Sequence, residues 1–259
     1  MSRIKDALKK AKQEQEALEP FSFIDAPASE SDSKPQTKVI NYSEGAVAKH
    51  KVITPYFDDY DLIERFKLLR TRILAETQTH DERTILITSA LEKEGKTFVA
   101  VNLAITFARE VDQTVLLIDV NLRSPSVLTF LGIPEDRGLT DYLLHDEPLS
   151  ELLIRPGIEK LVILPSGPSV ENSAELLRSH KMQALVKEMK NRYGNRYVFF
   201  DAPPVLTSVD TMVLSDYVDK ALFVVESGRV KPNQVSEAIN RLGKNKLLGT
   251  ILNKKSGNF

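Results

Sequence analysis

Residues 85–102, ILITSALEKEGKTFVAVN, contain the motif that decides the fold of this chain. The apolar residues 85–87 are followed by small polar residues, a short charged loop and the tripeptide Gly-Lys-Thr at residues 95–97. Beyond this tripeptide, apolar residues recur at helical spacing on one face: Val99, Leu103 and Phe107. A buried strand, a loop, Gly-Lys-Thr and a helix in this order predict a phosphate-binding P-loop.

The expected chemistry of this loop follows from its residue types. Backbone N–H groups of the loop and of the first helical turn point at an anion, and the helix dipole adds partial positive charge. Lys96 supplies a full charge for the β- and γ-phosphates of ATP, and the Thr97 hydroxyl can ligate Mg²⁺. Ala90 stands where the motif normally has glycine. The predicted nucleotide-binding residues of the loop are Ala90, Leu91, Glu92, Lys93, Glu94, Gly95, Lys96, Thr97 and Phe98.

The composition is ordinary for a soluble globular protein. The chain has 259 residues, 42% of them apolar and 27% charged, which is enough to bury a sizeable core. The net charge of −1 gives no basic field for nucleic acid, and the lack of cysteine excludes disulfides, thiolate zinc sites and cysteine nucleophiles. No apolar run reaches the length of a membrane span, so we expect a cytoplasmic protein.

Three segments are predicted along the chain. Residues 1–19 have a narrow apolar stripe at helical spacing, which predicts a short N-terminal helix, either solvated or docked to a partner. Residues 20–57 include the stretch APASESDSKPQTK, which has little to bury and predicts a disordered linker. The ATPase domain is expected at 58–259, beginning with a helix that is capped at residues 58–59 and ends near residue 77.

From residue 84 onward, apolar runs alternate with helical patterns. The strand candidates are residues 84–88, 114–118, 160–164, 197–200, 220–225 and 247–252. The helix candidates between them are residues 96–110, 138–145, 173–192, 206–217 and 231–243. The strand candidates are apolar throughout, as is typical of strands buried on both faces. The alternation predicts a doubly wound, mostly parallel α/β sheet that binds its ligand beyond the carboxyl ends of the strands.

Two of the predicted strands end in an acidic residue. The run VLLID ends at Asp119, and the run YVFFD ends at Asp201. A carboxylate fixed at a strand end can hold Mg²⁺, directly or through water, opposite the phosphates. We therefore predict that both acids gather with Lys96 and Thr97 around one Mg·ATP. In this prediction Thr97, Asp119 and Asp201 are the metal-binding residues, and Lys96, Asp119 and Asp201 are the catalytic residues.

Together these motifs resemble those of the bacterial tyrosine kinases, cytoplasmic P-loop ATPases that partner membrane polysaccharide co-polymerases in capsule and exopolysaccharide synthesis. The resemblance covers about residues 58–253. It rests on four stretches: LIERFKLLRTRI ahead of the domain, SALEKEGKTFVAVNLA as the P-loop, VLLIDVNLRSP as a second Walker-type motif, and YVFFDAPPV as Walker B.

The resemblance implies specific roles at the nucleotide site. It implies a protein-tyrosine kinase that uses ATP and Mg²⁺ and regulates polysaccharide polymerisation and export. Asp119 would be a candidate base for a tyrosine hydroxyl, and Asp201 would hold Mg²⁺ through water. The amide of Asn253 matches the residue that reads adenine in related ATPases.

The resemblance also implies two kinds of partner. A membrane co-polymerase would recruit the protein to the inner face of the cell membrane. A helical ridge would join copies of the chain into a homo-oligomer: Glu64, Lys67 and Arg70. Lys67 stands where the family usually has arginine, so the bidentate pairing that arginine offers is lost there.

The chain departs from the family pattern at several positions. Asn121 replaces a second acid and contributes no negative charge. Glu92 and Lys93 replace the usual proline and glycine, and we interpret them as solvent-facing charges. No tyrosine follows Tyr217, so autophosphorylation of a C-terminal tyrosine cluster is not expected. The alternative acceptors are Tyr42 and Tyr56, with Tyr60 less free to move.

Two other functions remain open at this point. One is a nucleotide-dependent scaffold of the export machinery that binds ATP without kinase activity. Asn121 and the missing tyrosines favour it. The other is a positioning ATPase of the cell-division or partition type. That class has a signature lysine where this chain has Leu91, which argues against it.

Overall fold

The computed structural model describes residues 37–54, 57, 59–78, 82–192 and 195–255. The strands are β1 (Lys38–Val39), β2 (Thr84–Ser89), β3 (Thr114–Asp119), β4 (Ile154–Arg155), β5 (Leu161–Leu164), β6 (Arg196–Asp201), β7 (Lys220–Glu226) and β8 (Leu247–Asn253). The helices are α1 (Glu44–Lys49), α2 (Tyr60–Thr77), α3 (Lys96–Ala108), α4 (Val127–Leu131), α5 (Leu139–His145), α6 (Leu149–Leu152), α7 (Ser173–Arg178), α8 (His180–Arg192), α9 (Asp210–Ser215) and α10 (Pro232–Leu242).

The strands form one sheet in the order β1-β4-β5-β3-β6-β2-β7-β8. Within the described part of the chain, every pairing is parallel except that of β4 with β5. Successive strand residues alternate between the two faces, so Ile85 and Ile87 join one apolar layer while Leu86 joins the other. Helices cover both layers. The predicted doubly wound, mostly parallel α/β sheet is confirmed.

The six predicted strands and five predicted helical regions are all present, with local differences. The predicted helix 173–192 is two helices, because Ser179 between them has extended backbone angles (φ −59°, ψ 150°). The predicted helix 206–217 is shorter and begins at Asp210. The strand β8 lies at the sheet edge and is partly exposed along its length, so it is not buried on both faces as its apolar sequence predicts.

The prediction of a disordered linker over 20–57 is wrong for residues 37–54. The strand β1 pairs with β4, and the helix α1 packs against α4. Val52 and Ile53 are buried at 0% and 1% exposure, and the Ile53 N–H donates to Asn102 Oδ1 at 2.7 Å. The apolar residues after position 38 therefore join the domain core. The prediction missed them because they directly follow a polar stretch whose composition is typical of a linker. The predicted helix 1–19 and residues 20–36 lie outside the described residues.

The predicted helix ahead of the P-loop is confirmed as α2. Asp59 caps it, since its Oδ1 accepts from the Leu62 N–H at 3.0 Å. Phe66 and Ile73, seven residues apart on one face of the helix, are buried, and the helix packs along α3. Among the helices that the structure describes, none combines the length and the apolar character needed to cross a membrane.

Candidate functional site

The P-loop connects β2 to α3 at the centre of the sheet. Gly95 has φ of 95°, a left-handed conformation that favours glycine, and it stands at the N-cap of α3. A Cβ at this position would lie 2.1 Å from Asn253 Nδ2, so the close approach also requires glycine. In the part of the chain that the structure describes, no side chain caps this helix, so its first N–H groups are left for the loop and a ligand. The loop is therefore shaped for an anion at the start of α3.

A buried carboxylate fixes the shape of the loop. Glu94 is 0% exposed, and its two oxygens accept from the Leu91 N–H at 2.6 Å and the Glu226 N–H at 2.9 Å. Glu94 was predicted to bind the nucleotide, but its side chain is bonded to backbone N–H groups of the protein itself. This contact ties the P-loop to the carboxyl end of β7.

Asn253 lies beside the P-loop at the end of β8. Its Nδ2 donates to the carbonyl of Glu94 at 2.8 Å. The next residue, Lys254, reaches the carbonyl of Lys93 at 2.7 Å, and Lys93 itself has φ of 64°. Glu92 and Lys93 are both exposed, in agreement with their interpretation as solvent-facing charges.

The structure brings Lys96, Thr97, Asp119 and Asp201 to one end of the sheet. Asp119 and Asp201 are register partners at the ends of the adjacent strands β3 and β6. The Thr97 hydroxyl donates to Asp201 Oδ2 at 2.6 Å and lies 2.9 Å from the Ser126 hydroxyl. The charge of Lys96 acts on both acids. The four residues that the sequence scatters over more than 100 positions therefore form one cluster.

The two acids are bonded differently. Asp119 accepts three backbone N–H groups of the loop that follows it: from Asn121 at 3.1 Å, Ser126 at 2.8 Å and Val127 at 3.0 Å. Asp201 Oδ1 has no hydrogen-bond partner among the described residues, although the side chain is fully buried. Ser126 was not predicted from the sequence, because a serine seven residues after a strand end has no distinctive signal.

Burial raises the pKa of both carboxyl groups. For Asp201, removal from water raises the pKa to about 7; Lys96 and the Thr97 hydroxyl lower it, and the neighbouring Asp119 raises it. For Asp119, burial raises the pKa, and the three backbone N–H groups and Lys96 oppose that shift. A second cation at this position would favour the ionised form of both acids.

The residues present fit a divalent cation. The buried, unpartnered Oδ1 of Asp201 is an oxygen acceptor that lacks a donor in the described structure. The Thr97 hydroxyl lies 2.6 Å from the other oxygen of Asp201 and 2.9 Å from the Ser126 hydroxyl. Mg²⁺ prefers oxygen ligands of this kind. The open first turn of α3 lies next to them and suits a phosphate.

A cleft of about 1340 Å³ opens from this cluster. Its wall includes Lys49, His50 and Lys51, which lie in the stretch predicted as a linker and were missed as site residues. The His50 ring stacks on Phe130 at 4.5 Å, and Asn102 Nδ2 donates to the Lys51 carbonyl at 3.3 Å. The sequence shows three consecutive basic residues here, but nothing in their position or spacing predicts that they lie near the P-loop.

The predicted oligomer ridge is divided in the structure. Lys67 is exposed and Glu64 is partly exposed, and the two side chains pair with each other at 2.7 Å. Arg70 turns towards α3, where it donates to the Thr106 carbonyl at 2.8 Å and pairs with Glu110 at 2.5 Å. Arg70 therefore joins two helices of the same chain, and its side chain is only 16% exposed.

Comparison with known proteins gives consistent results. The AAA domain model, AAA_31, matches residues 83–242. Tyrosine-protein kinase YwqD of Bacillus subtilis (strain 168) is 36% identical over 194 residues, which are 74% of this chain and 81% of that protein.

Solved structures are similar over most of the chain. The crystal structure of the chimerical protein CapA2B2 is 26% identical with a TM-score of 0.71, covering 86% of this chain and 95% of that one. The septum site-determining protein MinD of Pyrococcus horikoshii OT3, complexed with Mg-ADP, is 25% identical with a TM-score of 0.57, covering 68% and 71%.

Proposed function

The chain belongs to the bacterial tyrosine kinase family of P-loop ATPases, and we propose that it transfers the γ-phosphoryl group of ATP to protein tyrosine. The observation that carries this proposal is the cluster of Lys96, Thr97, Asp119 and Asp201 at the start of α3. The neighbour MinD binds Mg-ADP, which supports a magnesium nucleotide as the ligand here.

The catalytic roles follow from the positions of these side chains. Lys96 neutralises charge on the β- and γ-phosphates while the N–H groups of the P-loop orient them. The Thr97 hydroxyl, and Asp201 through water, would hold Mg²⁺, which would supply further charge neutralisation at the phosphates when bound. Asp119 accepts the proton of the tyrosine hydroxyl. Residues 90–98 bind the nucleotide, and Asn253 contacts the adenine.

We propose further that the enzyme regulates the polymerisation and export of a capsular or exopolysaccharide. A membrane co-polymerase would bind it and hold it at the inner face of the cell membrane. The similarity to the chimera CapA2B2 supports a complex of this kind. A homo-oligomer would use the surface pair Glu64 and Lys67. Arg70 would contribute by holding α2 against α3 through its contacts with Thr106 and Glu110.

Phosphotyrosine formation tests the kinase proposal. The purified full chain incubated with Mg·ATP and with its co-polymerase should acquire phosphotyrosine, detected by mass spectrometry. Lys96→Met should abolish it, because the substitution removes the charge on the phosphates. Lys96→Arg is the matched control, since it keeps the charge and should retain part of the activity. A wild-type protein without phosphotyrosine under these conditions would contradict the proposal.

A nucleotide-dependent scaffold is the second candidate, and one observation favours it. Asn121, at the position of a usual second acid, uses its amide to donate to the Ser124 carbonyl at 2.6 Å. The site therefore has one carboxylate fewer near the metal than the family pattern. If polymer output in cells requires Lys96 but survives Asp119→Asn, nucleotide binding is the function and phosphoryl transfer is not.

A further inference from the structure

Tyr60 differs from the other tyrosines that the structure describes. It is 72% exposed at the first position of α2. Tyr197 is 1% exposed, and Tyr42, Tyr142 and Tyr217 are partly buried and packed against the apolar layers. A phosphorylation site requires a hydroxyl that can enter another protein's cleft. Within the described residues, Tyr60 meets this requirement best.

Acidic residues surround Tyr60. Asp59 caps the helix, and Asp61 pairs with Arg65 at 2.7 Å while remaining 74% exposed. In the sequence, another aspartate precedes Asp59, so three acids lie within two positions of the hydroxyl-bearing residue. The segment therefore presents a tyrosine in a strongly negative setting.

The cleft around Lys96 has the opposite charge. Among the residues that the structure describes, nine lysines and arginines and three acids line it, although the whole chain has a net charge of −1. Two of those three acids are Asp59 and Asp61 themselves. Low-dielectric walls of one charge attract ligands of the other charge and raise their local concentration. A magnesium triphosphate does not need this many cations, and Lys49 and Lys51 lie on α1 and the turn after it, away from the P-loop sequence.

Tyr60 does not face the cleft of its own chain. Six α2 residues line that cleft and fall on one side of the helix, and Tyr60 is not among them: Asp61, Leu62, Arg65, Phe66, Leu69 and Arg72. Because an α-helix rotates about 100° per residue, Tyr60 lies about 200° around the axis from Leu62. The hydroxyl therefore points away from its own P-loop, and it can reach a γ-phosphate only in another molecule.

We infer that Tyr60 is a phosphorylation site of this enzyme, and that the basic cleft of a second copy of the chain phosphorylates it. This inference rests on the proposed kinase function and names its acceptor. The phenolic oxygen of Tyr60 forms a bond to the γ-phosphorus of ATP, and the bond from that phosphorus to the β–γ bridging oxygen breaks. ADP leaves with that electron pair, and the phenolic proton passes to the Asp119 carboxylate of the second copy.

A donor and an acceptor chain can be separated to test this. Full-length Tyr60→Phe serves as the donor, because Tyr60 has no role in nucleotide binding. Full-length Lys96→Met with a size tag serves as the acceptor, because it cannot phosphorylate itself. With Mg·ATP and the same co-polymerase as in the kinase test, the tagged chain should acquire phosphate on Tyr60. Adding Tyr60→Phe to the tagged acceptor should lower its labelling about 10-fold, whereas Tyr217→Phe, a half-buried control, should leave it unchanged.

The basic wall has its own pair of variants. Lys49→Glu combined with Lys51→Glu in the donor should lower transfer to the tagged chain about 5- to 10-fold by repelling the acidic segment. Lys49→Arg with Lys51→Arg keeps the charge and should retain transfer. The affinity of both variants for a fluorescent ATP analogue is measured beside the transfer rate, and transfer is compared at saturating ATP, so that a change in nucleotide binding is not counted as weaker binding of the acidic segment. Equal transfer by the Glu and Arg variants at saturating ATP would overturn the role of the basic wall.

The outcomes separate this inference from the kinase proposal. A random copolymer of glutamate and tyrosine is included as an independent acceptor. If the donor labels the copolymer while Tyr60→Phe in the tagged acceptor changes nothing, the inference is overturned and the kinase proposal stands. Mapping of the phosphate to Tyr56 or Tyr42 instead has the same meaning. If neither the copolymer nor the tagged chain is labelled, the kinase proposal fails and the inference fails with it.

Discussion

The adjacent strands β3 and β6 end in acids at equivalent positions, but the two carboxylates have different hydrogen-bond partners. Asp119 and Asp201 are register partners, and both are almost completely buried. The carboxylate of Asp119 is satisfied by three N–H groups of its own loop, whereas Asp201 accepts one hydroxyl and keeps one oxygen without a partner in the described structure. The loop N–H groups fix the carboxylate of Asp119 in place, whereas Asp201 keeps one oxygen available to a metal ion.

The sequences after the two strands explain the difference. After Asp119 the chain turns back, so that the N–H groups of Ser126 and Val127 at the start of α4 converge on the carboxylate. After Asp201 come Ala202, whose N–H donates to the Ile87 carbonyl, and Pro203-Pro204, which have no N–H to donate. The proline pair keeps Asp201 free of local donors.

The largest effect is expected from Asp201→Asn on phosphoryl transfer. The substitution removes the negative charge of the acid whose Oδ1 is available to Mg²⁺. Metal binding, and with it neutralisation of the phosphate charge, should therefore weaken. The expected loss in kcat/KM for a tyrosine acceptor is roughly 10²- to 10³-fold, equivalent to about 3–4 kcal/mol. The measurement is the rate of phosphotyrosine formation over a range of Mg²⁺ concentrations. A variant with wild-type rates at low Mg²⁺ would show that Asp201 is not the ligand-facing acid.

The same acid makes the stability of the nucleotide-free protein depend on pH. Burial raises the pKa of Asp201 to about 7, above its ordinary value of 3.8, so the folded protein holds a proton that the unfolded chain releases. This contribution is fully present below pH 4 and is lost as the pH rises through about 7. Asp201→Asn removes the titration while Asn Oδ1 still accepts from Thr97.

Asp201→Asn should therefore be more stable than wild type at pH 8 by roughly 4 kcal/mol, and by less than half of that at pH 5, where only part of the contribution has been lost. Urea unfolding at both pH values, without Mg²⁺ or nucleotide, measures the difference. Thr106→Ser, a buried hydroxyl change on α3 away from the cluster, is a control that should shift both pH values alike. An equal effect of Asp201→Asn at pH 5 and pH 8 would argue against a raised pKa.

For Asp119 the expected effect on stability has the opposite sign. An asparagine has one acceptor oxygen and one amide donor, so it cannot serve N–H groups on both sides. At least one buried N–H, from Asn121, Ser126 or Val127, would then face the amide and lose its acceptor. The expected cost of Asp119→Asn at pH 8 is about 1–3 kcal/mol, measured by urea unfolding beside Asp201→Asn. If both variants gain stability equally, the two acids do not differ as described.

How much the sequence could predict differs between the sheet and the site. The long apolar runs and the GKT loop were sufficient for the central strands and for the convergence of Lys96, Thr97, Asp119 and Asp201, because parallel strands end at one edge. The contacts that separate the two acids depend on backbone N–H groups several positions away. Such contacts have no residue-type signature, and side-chain patterns do not reveal them.

The folded segment 37–54 shows a second limit. Its apolar residues directly follow the polar stretch APASESDSKPQTK, and the linker predicted from that stretch was extended over them. Burial of Val52 and Ile53 depends on Asn102 of α3, whose Oδ1 accepts the Ile53 N–H. A partner so distant in sequence is visible only in three dimensions. The basic residues of the cleft wall were missed for the same reason.

The smallest effect is expected from Asn121→Asp, which restores a second acid to the loop after β3. Asn121 is 8% exposed and donates its amide to the Ser124 carbonyl at 2.6 Å. A carboxylate there would face that carbonyl and would add a negative charge beside Asp119, so stability at pH 8 should fall by about 1 kcal/mol. At pH 5 a protonated acid can donate to Ser124, and the cost should be smaller. Urea unfolding at the two pH values tests this, with Asn121→Ser as the uncharged control. If Asn121→Asp is more stable than wild type at pH 8 without Mg²⁺, the Asp119 loop can hold an additional charge, and the distinction between a satisfied and an open acid would not hold.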